Sequence, residues 1–243
     1  MIQNTPLISV VIPVYNGENF IRDAIQSVLD QNYPNLEILV IDDGSKDQTR
    51  TIVDDYSGQV TYIHQLNQGP GAARNTGLKM AKAEIIGFLD ADDLWTPSHL
   101  ETLKDRLVLD SSIDVVLGHT QSQELAGTSG SPEKLLKPHV LPVFGCGLFK
   151  KQVFEKVGLI DTTLHYSEDQ DWFIRAKEAK ASMVILKDTV LIRRLHNNNM
   201  TSGANWRDAG ILAVLRKSLE RRKHGESGAT TELPMLSDYI EDE

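Results

Sequence analysis

The sequence predicts an α/β domain with a mainly parallel central sheet flanked by helices, and three observations carry that prediction. Short, nearly continuous apolar runs recur at Leu7–Val14 (LISVVIPV), Leu36–Ile41 (LEILVI) and Ile85–Leu89 (IIGFL). Strands covered by helices on both faces have this composition. The segments between them carry apolar residues at helical spacing. Two of the runs end in carboxylates, Asp42-Asp43 and Asp90, Asp92 and Asp93, and open sheets of this class place ligands beyond the carboxyl ends of their strands.

In order, Leu7–Val14 is the first strand. Pro13 has no N–H for a ladder, so the strand is expected to end there. Tyr15-Asn16-Gly17 is a turn, and Asn19–Gln31 sets Phe20, Ile21, Ala24, Ile25, Val28 and Leu29 on one helical face. Asn32–Asn35, around Pro34, breaks that helix. After the second strand, Lys46–Tyr56 reads as a helix opening near Ser45 or Asp47, and Val60–His64 as a short strand. In Asn67–Gly77 (NQGPGAARNTG) a glycine turn opens a helix that continues through Leu78, Met80 and Ala81. Such a turn can present backbone N–H groups to a phosphate, with Arg74 adding a cation. An ordinary turn and helix account for the same residues, and neither G-x-G-x-x-G nor G-x-x-x-x-G-K-[ST] is present.

The stretch Glu84–Trp95 (EIIGFLDADDLW) organises the chain. Three carboxylates within four positions raise one another's pKa, and a divalent cation removes that cost. Mg²⁺ and Mn²⁺ prefer oxygen ligands, and Mg²⁺ commonly takes one or two carboxylates together with substrate phosphates. A metal–diphosphate site is one reading. A solvated acidic turn in which Asp93 caps the next helix is the other.

Beyond it, Pro97–Leu109 is a helix and Val115–Leu117 a strand. Ser122–Pro138, rich in Gly, Ser, Thr and Lys, reads as a long surface loop. Gly145 and Gly147 flank Cys146, which reads as small-residue packing rather than a nucleophile. Gln152–Val157 is a short helix closed by Gly158. Tyr166–Ala179 is a helix carrying Glu168, Asp169, Asp171, Trp172 and Arg175; Arg175 is expected to pair with Asp171 at i,i+4, and Trp172 suits either a sugar platform or the core. Val184–Leu195 is a late strand leading to Arg193-Arg194 and His196. Asp208–Lys223 is an amphipathic helix, and the polar, acidic tail 224–243 is expected to be poorly ordered.

The 243 residues suit one large α/β domain. A formal charge of −9 argues against a nucleic-acid partner or a broad basic membrane patch. A single cysteine leaves no intrachain disulfide, which is compatible with a reducing compartment. The opening residues do not read as a signal peptide, and no run approaches the roughly 18 apolar residues of a membrane span. The expected location is cytoplasmic, with peripheral association at the inner face of a membrane compatible.

The ordered series VIPVYN, VIDDGSKDQT, GPGAARNTG, FLDADDLW and SEDQDWFIR resembles family 2 of the glycosyltransferases, over roughly residues 7–200. Each piece is modestly specific; the five in this order are highly so. The resemblance implies a single GT-A (Rossmann-like) domain over 1–223, with a donor-binding half at about 1–118 and an acceptor-side half at about 119–223. It implies transfer of a sugar from a nucleotide-diphosphate donor, UDP-sugar favoured, to an acceptor hydroxyl with inversion. Pro13 and Tyr15 match the segment that packs on the nucleotide base, Asp43 the acid that hydrogen-bonds it, and Arg74 a position near the base or diphosphate. Asp90 and Asp92 match a D-x-D pattern that holds Mn²⁺ or Mg²⁺ against the diphosphate, extended by Asp93, with Asp92 or Asp93 favoured for direct metal contact. Asp169 matches the general base, Glu168 its support or an acceptor contact, and His196 a late basic segment that can supply a metal ligand.

The implied acceptor is a glycan, a lipid-linked sugar or another hydroxyl, in surface polysaccharide or glycoconjugate synthesis. The missing spans and the absent Q-x-x-R-W segment set the chain apart from processive synthases. An inactive nucleotide-sugar-binding or assembly protein is an alternative. A nucleotidyltransferase is a weaker one, since VYNGENF is not a basic, glycine-rich phosphate loop.

Overall fold

A computed structural model gives the fold and describes residues 5–126, 133–164, 166–197, 199–200 and 206–223. The first half alternates as the apolar runs predict: β1 (Ile8–Val14), α1 (Ile21–Leu29), β2 (Leu36–Asp42), α2 (Thr49–Asp54), β3 (Thr61–His64), α3 (Pro70–Met80) and β4 (Ile85–Phe88). The second half contains β5 (Leu94–Trp95), α4 (His99–Leu109), β6 (Val115–Glu124), β7 (Lys134–Leu135) and a 3₁₀ turn at Phe144–Cys146. It ends with β8 (Gly147–Lys150), α5 (Val153–Val157), α6 (Glu168–Glu178), β9 (Met183–Leu195) and α7 (Trp206–Lys223). The expected tail 224–243 lies outside the described residues.

Among the described residues, one sheet joins nine strands in the order β3-β2-β1-β4-β8-β6-β9-β5, with β7 on β6. β1 runs parallel to β2 and β4, β2 to β3, and β6 to β9, while β8 is antiparallel to both β4 and β6. β4 and β6 therefore point the same way, so β1, β2, β3, β4, β6 and β9 share one direction. Only β5, β7 and β8 oppose it. The carboxyl ends of β1, β2, β4 and β9 consequently meet at one edge, where the acidic strand ends fall.

Every residue of β1 and β4 is buried, as strands covered on both faces require. Helix α3 packs on β1 with no room for a side chain at Gly77, where a Cβ would sit 2.2 Å from Val11 Cγ1. The second half is held by an aromatic cluster of Phe88, Phe144, Phe149, Phe154, Trp172 and Phe173. Trp172 is fully buried there and donates from Nε1 to Gly158 O at 3.0 Å. It is a core residue and presents no face to a sugar.

Three expectations are corrected. First, β1 continues through Pro13 to Val14. Val11 O accepts from Leu89 N on the β4 side, and Val14 O accepts from Asp43 N on the β2 side. The alternation turns the nitrogen of Pro13 toward β4, beyond Phe88, the last β4 residue paired with β1, so no ladder bond is lost. Second, part of the expected loop Ser122–Pro138 is strand: β6 runs to Glu124 and pairs with β7. The buried positions at this end of β6 are Thr120 and Ser122. They alternate like a strand but carry no apolar signal. Third, Asp93 does not cap a helix. β5 follows it, and α4 begins at His99.

Candidate active site

The site is built from the turns at the carboxyl edge. Tyr15, just past β1, is 50% exposed, whereas Pro13 is buried within the strand. Asn16 takes a left-handed conformation (φ 51°), which Asn tolerates better than most residues. The two turns that follow β1 and β2 are latched together. Asn16 N donates to Ser45 Oγ at 2.9 Å, Lys46 N to Asn16 Oδ1 at 2.8 Å and Gly17 N to Thr49 Oγ1 at 2.9 Å.

Asp43 is 3% exposed and faces the start of α3. Its carboxylate accepts from Gln68 N at 3.0 Å, Gly69 N at 2.7 Å and Gln65 Nε2 at 2.7 Å. Gly69, at φ 89°, makes the turn that aims these amides, a conformation open to glycine at no steric cost. A carboxylate at a helix N-terminus is favoured by the helix dipole. Asp42 serves the turn itself, accepting from Ser45 N at 2.8 Å and from the Tyr62 hydroxyl.

Arg74 is the central cation. It is 5% exposed and lies 16 residues from Asp90 and 94 from Glu168 in sequence. Its Nη2 donates to Asp90 Oδ1 and its Nη1 to Glu168 Oε1 at 2.8 Å, while the guanidinium carbon sits 5.5 Å from the Phe144 ring centroid. Burial works against its charge, but Asp90, Glu168 and Asp169 outweigh it and hold the Arg74 pKa above its ordinary value. The sequence expectation put Arg74 near the donor's base or diphosphate; the structure shows its two outer nitrogens bonded to carboxylates of the two acidic clusters. Asp169 follows Glu168 in the first turn of α6, and its Oδ1 accepts from Gln170 N at 2.9 Å. Burial, and then the charge of Glu168, push its carboxyl up to about 7, against the opposing pull of Arg74.

The Asp90–Asp93 turn is fastened to the end of β9. Arg194 donates from its backbone N to Asp93 Oδ1 at 2.9 Å, from Nε to Asp92 O at 2.5 Å and from Nη1 to Asp23 Oδ2 at 2.8 Å. Asp93 is only 6% exposed; burial and then the charges of Asp92 and Asp90 hold its pKa well above the carboxylate range. His196 stacks on Phe20 with ring centroids 4.2 Å apart and brings Nε2 to 3.2 Å from Asp92 Oδ2. Asn199 Nδ2 donates to the same oxygen at 2.9 Å. Burial opposes the charge of Asp92, yet His196 and Asn199 keep its pKa below the ordinary value.

Among the described residues, no three His, Cys, Asp or Glu side chains form a ready-made metal cage. The donor set nevertheless fits a cation shared with a diphosphate. The Asp90 and Asp92 side chains remain 38% and 33% exposed, and one carboxylate oxygen of each is engaged by protein side chains. Mg²⁺ typically takes one or two carboxylates and completes its shell with phosphate and water.

Two other expectations hold. Arg175 Nε pairs with the fully buried Asp171 at 2.7 Å, and Cys146 is buried with its thiol pushed up to about 11 by burial, which suits packing and not attack. Phe20 reads in the sequence only as part of an apolar helix face, and Asp23 and Asn199 escaped sequence reading. The run Asn197-Asn198-Asn199 directly after His196 was the available signal for the last of them.

Residues 9–158 match the family model described as "Glycosyl transferase family 2". An uncharacterized glycosyltransferase of Rickettsia typhi, RT0329, is 38% identical over 224 residues, covering 84% of this chain and 69% of that protein. The uncharacterized glycosyltransferase EpsJ of Bacillus subtilis is 28% identical, covering 81% and 63%. Among solved structures, S. aureus TarS 1–349 in complex with UDP-GlcNAc superposes with a TM-score of 0.72 at 23% identity, over 92% of this chain and 68% of that one. The mannosyltransferase PcManGT of Pyrobaculum calidifontis, in complex with GDP-Man and Mn²⁺, gives 0.69 at 20% identity, over 90% and 65%. The chain spans 60% of another TarS 1–349 chain and 40% of a longer TarS chain. These likenesses establish a GT-A glycosyltransferase fold. With the matched family model and the Rickettsia relative, they place this chain in glycosyl transferase family 2.

Proposed function

We propose that the chain is an inverting, metal-dependent glycosyltransferase that moves a sugar from a nucleotide-diphosphate donor, UDP-sugar favoured, to an acceptor hydroxyl. The observation that carries this reading is Arg74, which bonds Asp90 and Glu168 and so draws the two acidic clusters into one site. The donor's base lies against Tyr15 and the carboxyl-terminal part of β1 around Pro13, with Asp43 as its polar contact. Its diphosphate lies along Asp90, Asp92 and Asp93. Asp92, Asp93 and His196 would hold Mn²⁺ or Mg²⁺, and Asp93 also secures the turn to β9. The cation, when bound, stabilises negative charge developing on the leaving diphosphate.

Asp169 is the general base. It takes the proton of the acceptor hydroxyl as that oxygen bonds the anomeric carbon; the bond from that carbon to the diphosphate oxygen breaks, and its electron pair leaves with the nucleoside diphosphate. Attack opposite the leaving group inverts the centre. A carboxyl poised near 7 suits this role at neutral pH. Glu168, tied to Arg74, supports it. Residues 1–118 form the donor side and 119–223 the acceptor side, with acceptor choice set by 120–145 and α7. The acceptor is a glycan, a lipid-linked sugar or another hydroxyl compound in surface polysaccharide or glycoconjugate synthesis. No nucleic acid is involved, given the net charge of −9. Among the described residues, no helix is long and apolar enough to cross a membrane, which suits work in the cytoplasm or at the inner face of a membrane.

The test is Asp169→Asn. UDP with Mn²⁺ should raise the melting temperature of variant and wild type alike; a ligand at about 100 times its Kd stabilises by roughly 2.7 kcal/mol. Sugar transfer should fall about 10²- to 10⁴-fold, the usual worth of a general base. Unchanged transfer removes Asp169 from the mechanism. Nucleotide binding without transfer in the wild type favours the inactive binding protein.

A further inference from the structure

We infer that Asn199 is a positioning residue that holds Asp92 and His196 as a paired oxygen and nitrogen donor for the divalent cation. This rests on the site reading above and adds to it a residue outside the acidic clusters. Asn199 Nδ2, Asp92 Oδ2 and His196 Nε2 form a triangle with sides of 2.9 Å (Asn199–Asp92), 3.0 Å (Asn199–His196) and 3.2 Å (His196–Asp92). The Asn199 side chain also clamps the backbone that carries the imidazole. Its Oδ1 accepts from His196 N at 2.6 Å, its Nδ2 lies 3.2 Å from Arg194 O, and its own backbone N donates to His196 O at 3.1 Å. Stacking on Phe20 sets the ring plane, and Asn199 sets where the ring starts from and which way the carboxylate turns.

The chemistry assigns this job to an amide. Asn199 Nδ2 can only donate, so it occupies Asp92 Oδ2 without competing for a cation. Its oxygen is spent on the backbone of His196. When Asp92 and His196 exchange their mutual contact for a shared cation, the Asn199 bond to Asp92 can persist. Partners of this kind, one step removed from the metal, typically govern 10- to 100-fold of metal affinity.

The experiment titrates Mn²⁺ into wild type, Asn199→Ala and Asn199→Ser in the presence of UDP and, separately, GDP. Free Mn²⁺ is followed by its electron paramagnetic resonance signal, and nucleotide binding without metal is measured in parallel. Serine retains a side-chain oxygen for the turn and lacks the amide donor, so it serves if the alanine variant does not fold. Mn²⁺ affinity should weaken 10- to 100-fold in both variants while metal-free nucleotide affinity stays within twofold. Equal Mn²⁺ affinity in wild type and variants overturns the role of Asn199 and leaves the site reading standing. Equal loss of metal-free nucleotide binding marks Asn199 as merely structural and also overturns the role. A wild-type chain that takes up no Mn²⁺ with either nucleotide overturns the site reading and the Asn199 role together.

Discussion

Replacing Arg74 with alanine removes a cation shared by Asp90 and Glu168. Arg74 and Glu168 have side chains 6% and 10% exposed, whereas Asp90 is 38% exposed. Removing one partner of a buried pair commonly costs about 3–5 kcal/mol. With one carboxylate partly open to water, the low end applies, about 3 kcal/mol. For a chain of this size that corresponds to a drop of roughly 6–12 °C in melting temperature. The cost should also depend on pH. Arg74 opposes the upward push on Asp169, so its loss raises that carboxyl still higher. A carboxyl whose folded pKa exceeds its unfolded value binds more protons when folded, so its contribution falls as pH rises between the two. In wild type that fall levels off above about 7; in Arg74→Ala it continues. The penalty should therefore grow from pH 6 to pH 8, at most by about 1.4 kcal/mol per pH unit for one proton. Urea unfolding at both pH values measures this. Arg74→Lys, which keeps the charge but cannot span two carboxylates with a fork, should fall between wild type and alanine. A penalty below about 1 kcal/mol refutes the bridge as a stabilising element, and a penalty that does not change with pH refutes the pull of Arg74 on Asp169.

Three further outcomes are expected. With Asp169 as base, kcat/KM should fall about tenfold per unit below pH 7 and level off above it, because only the ionised carboxylate accepts a proton. Glu168→Gln removes a charge that pushes Asp169 up, so it should move that limb to lower pH; an unmoved limb assigns the titration to another group. Gly77→Ala should destabilise by about 1–3 kcal/mol through overpacking against Val11, whose Cγ1 lies 2.2 Å from the new Cβ. Equal denaturation midpoints would show that α3 can lift from β1 at little cost.

The first half of the fold was legible in the sequence because three of its strands, β1, β2 and β4, are wholly or mostly buried on both faces. Ile8–Val14, Leu36–Asp42 and Ile85–Phe88 therefore read as apolar runs, and their acidic ends marked the functional edge. The family was legible from the order of five short segments, most of which lie where backbone geometry or chemistry narrows the choice of residue. What escaped was structure without an apolar signal: the end of β6, whose buried positions are Thr120 and Ser122, and the two-residue strands β5 and β7, too short for any period. Likewise, sequence named Arg74, Asp90 and Glu168 separately, and only the tertiary structure placed one guanidinium between the two carboxylates. It also showed that Trp172 fills the core and that Asn199 stands beside Asp92 and His196. Local patterns record what each segment buries. Which side chain meets which across 94 residues of chain is set by the packing of α3, β4, α6 and β9, and no single segment carries that information.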